Sequence, residues 1–121
     1  SDIRGESVGW NLTATTTTTL MTVSADKVIK INRITVANVD GTNAADVTLF
    51  IDTSVQTSSG ATVASGAADV YLAKTVSVPA DATLVLADTP IYLMEGDILK
   101  GGAGAASDLD LFISYEVLDD A

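Results

Sequence analysis

The stretch V-I-K-I-N-R-I-T-V-A-N, Val28 to Asn38, decides how the rest of the chain is read. Its apolar residues change phase partway along. Ile29 and Ile31 alternate on one parity, Ile34 and Val36 on the other, with Asn32 and Arg33 between them. Side chains on a strand repeat every second residue, so a shift of one residue carries the apolar set to the wrong face. A β-bulge at Asn32-Arg33 absorbs the extra residue and keeps one face buried. The alternative is a strand covered on both faces, where parity stops mattering. Lys30 and Arg33 weigh against that.

Asp40-Gly41 and Asn43 follow, and then a second β-rich run, V-T-L-F-I, Val47 to Ile51. Turn residues between two such runs predict either a hairpin or a crossover from one sheet to another. Before the deciding stretch, five consecutive threonines, Thr15 to Thr19, lie between Leu12 and the group Leu20, Met21 and Val23. Threonine favours strands and tolerates water, which suits a sheet edge; a low-complexity linker is the other reading. Residues 1–10 carry only Ile3, Val8 and Trp10 as large apolar points and read as an extended N-terminal arm. Trp10 either pins the first strand to the protein's own core or joins Ile3 and Val8 in gripping a partner.

Beyond Ile51, residues 52–69 are small and polar, with Gly60 and Gly66 as breakers, and read as a long surface loop. Val70, Leu72, Val76 and Val78 alternate through a strand that Pro79 stops. Short strands follow at Thr83–Leu86, Ile91–Met94 and Ile98–Lys100, with a tight turn at Glu95-Gly96-Asp97. G-G-A-G-A-A, Gly101 to Ala106, has almost nothing to bury and reads as a flexible loop. The closing run D-L-D-L-F-I-S-Y-E-V-L has the cleanest two-residue period. Leu109, Leu111, Ile113, Tyr115 and Val117 face one way, and Phe112 falls on the wet side, either beneath a loop or in an interface.

These readings predict an all-β, single-domain β-sandwich or jelly roll of about eight antiparallel strands, with residues 1–10 as the arm and 11–121 as the sandwich. At 121 residues such a chain buries roughly two-thirds of its unfolded surface and needs no staple. No run approaches membrane-spanning length and no charged-then-apolar leader opens the chain, so a soluble protein without membrane contact is expected.

With no histidine and no cysteine, the usual general base, the thiolate nucleophile and the common transition-metal ligands are missing together. Neither GxSxG nor SxxK occurs, and GGAGAA lacks the ending of a phosphate loop. Carboxylate pairs remain at Glu95/Asp97, Asp108/Asp110 and Asp119/Asp120. They read mainly as solvated turn acids, with a bound calcium as the sharper option, although no EF-hand spacing is present. Six basic against sixteen acidic residues give a formal charge of −10, which opposes binding to nucleic acid through its phosphates. No enzyme and no cofactor are expected. The contact residues predicted for a partner are Ile3, Val8, Trp10 and Phe112.

Four segments in order carry a likeness to known proteins: K-x-x-K-I-x-R-I-x-V-A-N (Lys27–Asn38), A-D-V-T-L-F-I (Ala45–Ile51), P-I-Y-L-M-E-G-D-I-L (Pro90–Leu99) and D-L-F-I-S-Y-E-V-L (Asp110–Leu118). Together they resemble small β-sandwich virion proteins of tailed bacteriophages, the capsid decoration (cement) proteins and related tail accessory proteins. The resemblance implies a non-enzymatic homo-oligomer, a trimer by preference, on the outer capsid surface of the virion. There it would bind the major capsid protein and bridge capsid subunits. A tail or fibre module that binds glycan through exposed aromatic residues is the alternative.

Overall fold

The deciding stretch becomes the most connected strand of the protein. A computed structural model describes residues 3–15, 17–53, 60–64 and 68–119. These form nine strands: β1 (Ile3–Asn11), β2 (Thr18–Thr22), β3 (Lys27–Asn38), β4 (Ala45–Asp52), β5 (Asp69–Val78), β6 (Thr83–Ala87), β7 (Ile91–Leu93), β8 (Ile98–Ala103) and β9 (Leu109–Asp119). The first sheet runs β1-β9-β3-β6, with β7 also paired to β3; the second runs β2-β8-β4-β5. Every pairing is antiparallel. The sandwich fold class is as expected, and no helix occurs among the described residues.

The bulge lies where the phase change puts it. The register of β3 against β9 slips between Ile31 and Arg33, leaving Asn32 as the extra residue. Ile29 and Ile31 on one side of the slip and Ile34 and Val36 on the other are all buried. From β3 the chain crosses to β4 in the second sheet, so the crossover reading holds and the hairpin does not. Interdigitation of Ile31, Ile34 and Ile113 with Val47, Leu49 and Leu99 makes the dry interior. Each of these side chains contributes about 1.5–3 kcal/mol by leaving water.

Asn38 ends β3 inside that interior, only 3% exposed. Its Nδ2 donates to the carbonyls of Asn43 (3.0 Å) and Val78 (2.9 Å), and its Oδ1 accepts the Asp40 N–H at 2.9 Å. A buried amide is tolerated because all these groups are paired.

Three readings from sequence need correction. Residues 3–10, expected within an arm, form β1 together with Asn11 and pair with β9 along their whole length, from Ile3 opposite Leu118 to Asn11 opposite Asp110. The strand is mostly exposed because it is a sheet edge, and so it has few apolar residues to betray it. Gly101 and Gly102, expected in a loop, continue β8 and are buried. A Cβ at Gly101 would stand 3.0 Å from both Leu20 Cδ1 and Leu49 Cδ1, so the leucines of the flanking strands occupy the space a side chain would need. In β5 the expected alternation fails: only Ala73 and Val78 are buried, while Val70 and Val76 lie exposed. Register shifts opposite β4 and a left-handed Thr75 (φ 49°) break the period on this edge strand. Half of the loop expected over 52–69 falls outside the described residues.

Two substitutions test this packing. Gly101→Val forces apart Leu20 and Leu49 and lowers stability by about 1–3 kcal/mol, read from urea unfolding midpoints. Asn38→Ala deprives the buried Val78 carbonyl and the part-buried Asn43 carbonyl of their partner at a cost of about 2 kcal/mol. Asn38→Asp, which sets a carboxylate against the same carbonyls, costs more in the same measurement.

Candidate interaction surface

Since Leu111 and Ile113 of β9 point inward, their neighbours Asp110, Phe112, Ser114 and Glu116 point out of the sandwich. The registers then assemble the outer face of the first sheet row by row. Gly9, Phe112, Thr35 and Val85 form one row across β1, β9, β3 and β6. Gly5, Glu116, Lys30 and Tyr92 form another, and Ile3, Leu118 and Val28 a third. Phe112 is 50% exposed, Tyr92 54%, Val85 41% and Ile3 70%. Phe112 lies against the edge strand at Gly9, where a Cβ would come within 3.1 Å of its ring. It is therefore seated on the sheet but half exposed, and among the described residues no loop closes over it.

The predicted contact residues divide between the two sides of β1 and β9. Ile3 and Phe112 stand on the outer face. Val8 and Trp10 pair with Ile113 and Leu111, turn inward with them, and are half-buried against the core cluster. Trp10 thus pins β1 to the protein's own interior. Tyr92 and Val85 were not singled out as contacts from sequence, because only the register of β6 and β7 on β3 places them on the same face as Phe112.

Electrostatics on this face are balanced. Lys30 Nζ pairs with Glu116 Oε2 at 3.4 Å, and Asn32 Nδ2 donates to the same oxygen at 3.1 Å. Arg33 and Asp110 are both exposed and form no ion pair among the described residues; Asp110 accepts only the Asn11 amide, at 2.7 Å.

The acids read as candidate chemistry are engaged in structure. Glu95 accepts the Asp26 N–H at 2.6 Å, Asp97 accepts the Met94 N–H at 2.9 Å across the turn at Gly96 (φ 84°), and Asp119 pairs with Lys27. Asp120 lies outside the described residues. No group of three or more acidic side chains placed to hold a metal occurs among the described residues. Of the aromatics weighed for glycan binding, Phe50 is buried and stacks on exposed Tyr71 at 5.0 Å, with Lys74 Nζ 5.2 Å from the Tyr71 ring. That cluster belongs to the second sheet, away from Phe112 and Tyr92. Tyr115 donates its hydroxyl to Glu6 at 3.2 Å; burial first, and then the Glu6 charge, raise its phenol above the ordinary 10.0.

One architecture carries the likeness to a solved structure. No family model matches the sequence, and no curated protein matches it. The chain is similar to a solved structure described as "Bacillus endospore appendages form a novel family of disulfide-linked pili", at 14% identity and a TM-score of 0.50, over 99% of this chain and 88% of the other. At that identity the match shows a shared β-sandwich.

In the turn leaving β3, the backbone N–H groups of Thr42 (2.8 Å) and Asn43 (3.3 Å) point at Asp40 Oδ1 and hold its carboxyl below the usual 3.8. A depressed folded value means that the ionised group stabilises the fold above the ordinary carboxylate range, and that this contribution disappears as pH falls through the lowered value. Asp40→Asn therefore melts below the wild type at neutral pH, and the gap narrows towards pH of about 2, as followed by thermal unfolding across the acid range.

Proposed function

We propose that this chain is a non-enzymatic structural protein, a subunit that works by sitting against other proteins in a larger surface assembly. The observation that carries the reading is the outer face of the first sheet: a continuous hydrogen-bonded surface that leaves Phe112, Val85, Tyr92 and Ile3 uncovered. Several large apolar side chains left exposed on one rigid face of a small domain mark a surface suited to contact. Catalysis has little to work with, since the sequence offers neither histidine nor cysteine, and of its paired acids Glu95 and Asp97 are taken up by a turn and Asp119 by an ion pair.

The structural neighbour's description concerns pili joined by disulfides. A sandwich of this kind serving in an external protein appendage supports the reading. The joining chemistry does not carry over, because these 121 residues contain no cysteine and their contacts are non-covalent. The finer form of the proposal follows the phage resemblance. The protein decorates the outside of a capsid, binds the major capsid protein and bridges its subunits. A charge of −10 opposes indiscriminate association of copies, so a contact has to form where the surface charge is balanced and apolar side chains fit.

Co-sedimentation of the purified protein with undecorated phage capsids tests this directly. Saturation at a fixed number of copies per capsid is expected. Protein that remains in the supernatant at every concentration overturns the decoration role.

A further inference from the structure

We infer that the outer face of the first sheet is a self-complementary contact, and that two copies of this chain pack there about a two-fold axis passing beside Phe112. The inference deepens the assembly role proposed above by naming the first partner of the face.

The charges argue for a second copy. The molecule carries −10, yet the outward residues of β1, β9, β3, β6 and β7 include two acids, Asp110 and Glu116, and two bases, Lys30 and Arg33. The face is neutral, so the repulsion between like molecules is weakest there. Lys30 and Glu116 satisfy one another. Arg33 and Asp110 do not, and their positions explain why. Asp110 lies two residues before Phe112 on β9, whereas Arg33 is opposite Ser114, two residues beyond it. Four residues of strand separate their levels by about 13 Å, too far for them to meet within one copy.

An isologous contact solves this arrangement. A two-fold axis lying in the face along the row Gly9, Phe112, Thr35 and Val85 reverses the strand direction of the second copy. The level of Asp110 in one molecule then coincides with the level of Arg33 in the other. The two side chains sit on adjacent strands, about 4.8 Å apart sideways, within reach of an arginine across sheets that pack about 10 Å apart. The same operation makes the reciprocal pair, so two Arg33–Asp110 bridges flank the two Phe112 rings. Ring stacking and the burial of Val85 supply the apolar centre, and the bridges set direction and register.

The test is a charge swap on the full 121-residue chain, with self-association measured by sedimentation equilibrium at low salt. The wild type approaches twice the chain mass as concentration rises. Arg33→Asp places two acids together and weakens pairing by about tenfold or more, and Asp110→Arg does the same with two bases. The double variant, Arg33→Asp with Asp110→Arg, recovers pairing to within about threefold of the wild type, because exchanging the two charges restores the complement. Circular dichroism and urea midpoints stay constant across the series, since both residues are exposed.

A wild type that is monomeric throughout, a trimeric mass, or a double variant no better than the singles each overturns the two-fold contact. Capsid co-sedimentation with the same variants keeps the two proposals apart. A chain that stays monomeric but saturates capsids loses the pair and retains the decoration role; one that pairs but never binds capsids does the reverse.

Discussion

The extra residue in β3 is the constraint on which the molecule rests. A single twelve-residue strand has to pair with β9 along one side and with both β6 and β7 along the other. It also has to send Ile29, Ile31, Ile34 and Val36 to the same interior. Two-residue periodicity forbids this for an unbroken strand. The slip at Asn32 turns the second half over, so that both apolar pairs reach the core, and it leaves Asn32 and Arg33 towards solvent on a bend. The features of the outer face follow from it. Arg33 stands opposite Ser114, Asn32 reaches Glu116, and Lys30 lies next to Tyr92 because the bulge fixes those registers.

Legibility from sequence followed the apolar signal. Where large side chains mark one face, as in β3 and β9, strands, parity and the bulge itself could be read. Where the structure depends on missing side chains or on partners distant in sequence, they could not. Gly101 is buried because Leu20 and Leu49 fill its place, and nothing in GGAGAA announces those leucines. β1 is held by backbone bonds to β9, about a hundred residues away, and its composition resembles a loose segment. In β5, a left-handed Thr75 and an irregular register undo an alternation that looked regular.

The same limit applied to the surface. Phe112 was legible as an aromatic on the wet side of a well-patterned strand. That Ile3 shares its face while Val8 and Trp10 do not depends on the parity of a strand the sequence did not reveal. The relation between Arg33 and Asp110 is further removed, because it requires the registers of three strands and the location of the bulge together.

The side chain of Asn38 has a consequence for how the molecule comes apart. It belongs to the last residue of a first-sheet strand, yet it holds the carbonyl of Val78 at the end of a second-sheet strand and the turn that leads from one layer to the other. Layers of a sandwich otherwise meet only through greasy, non-directional contact, which permits sliding. A directional rivet at this corner denies the layers independent motion there, so that fraying of either one is tied to opening of both and the two behave as one cooperative unit on the timescale of amide exchange.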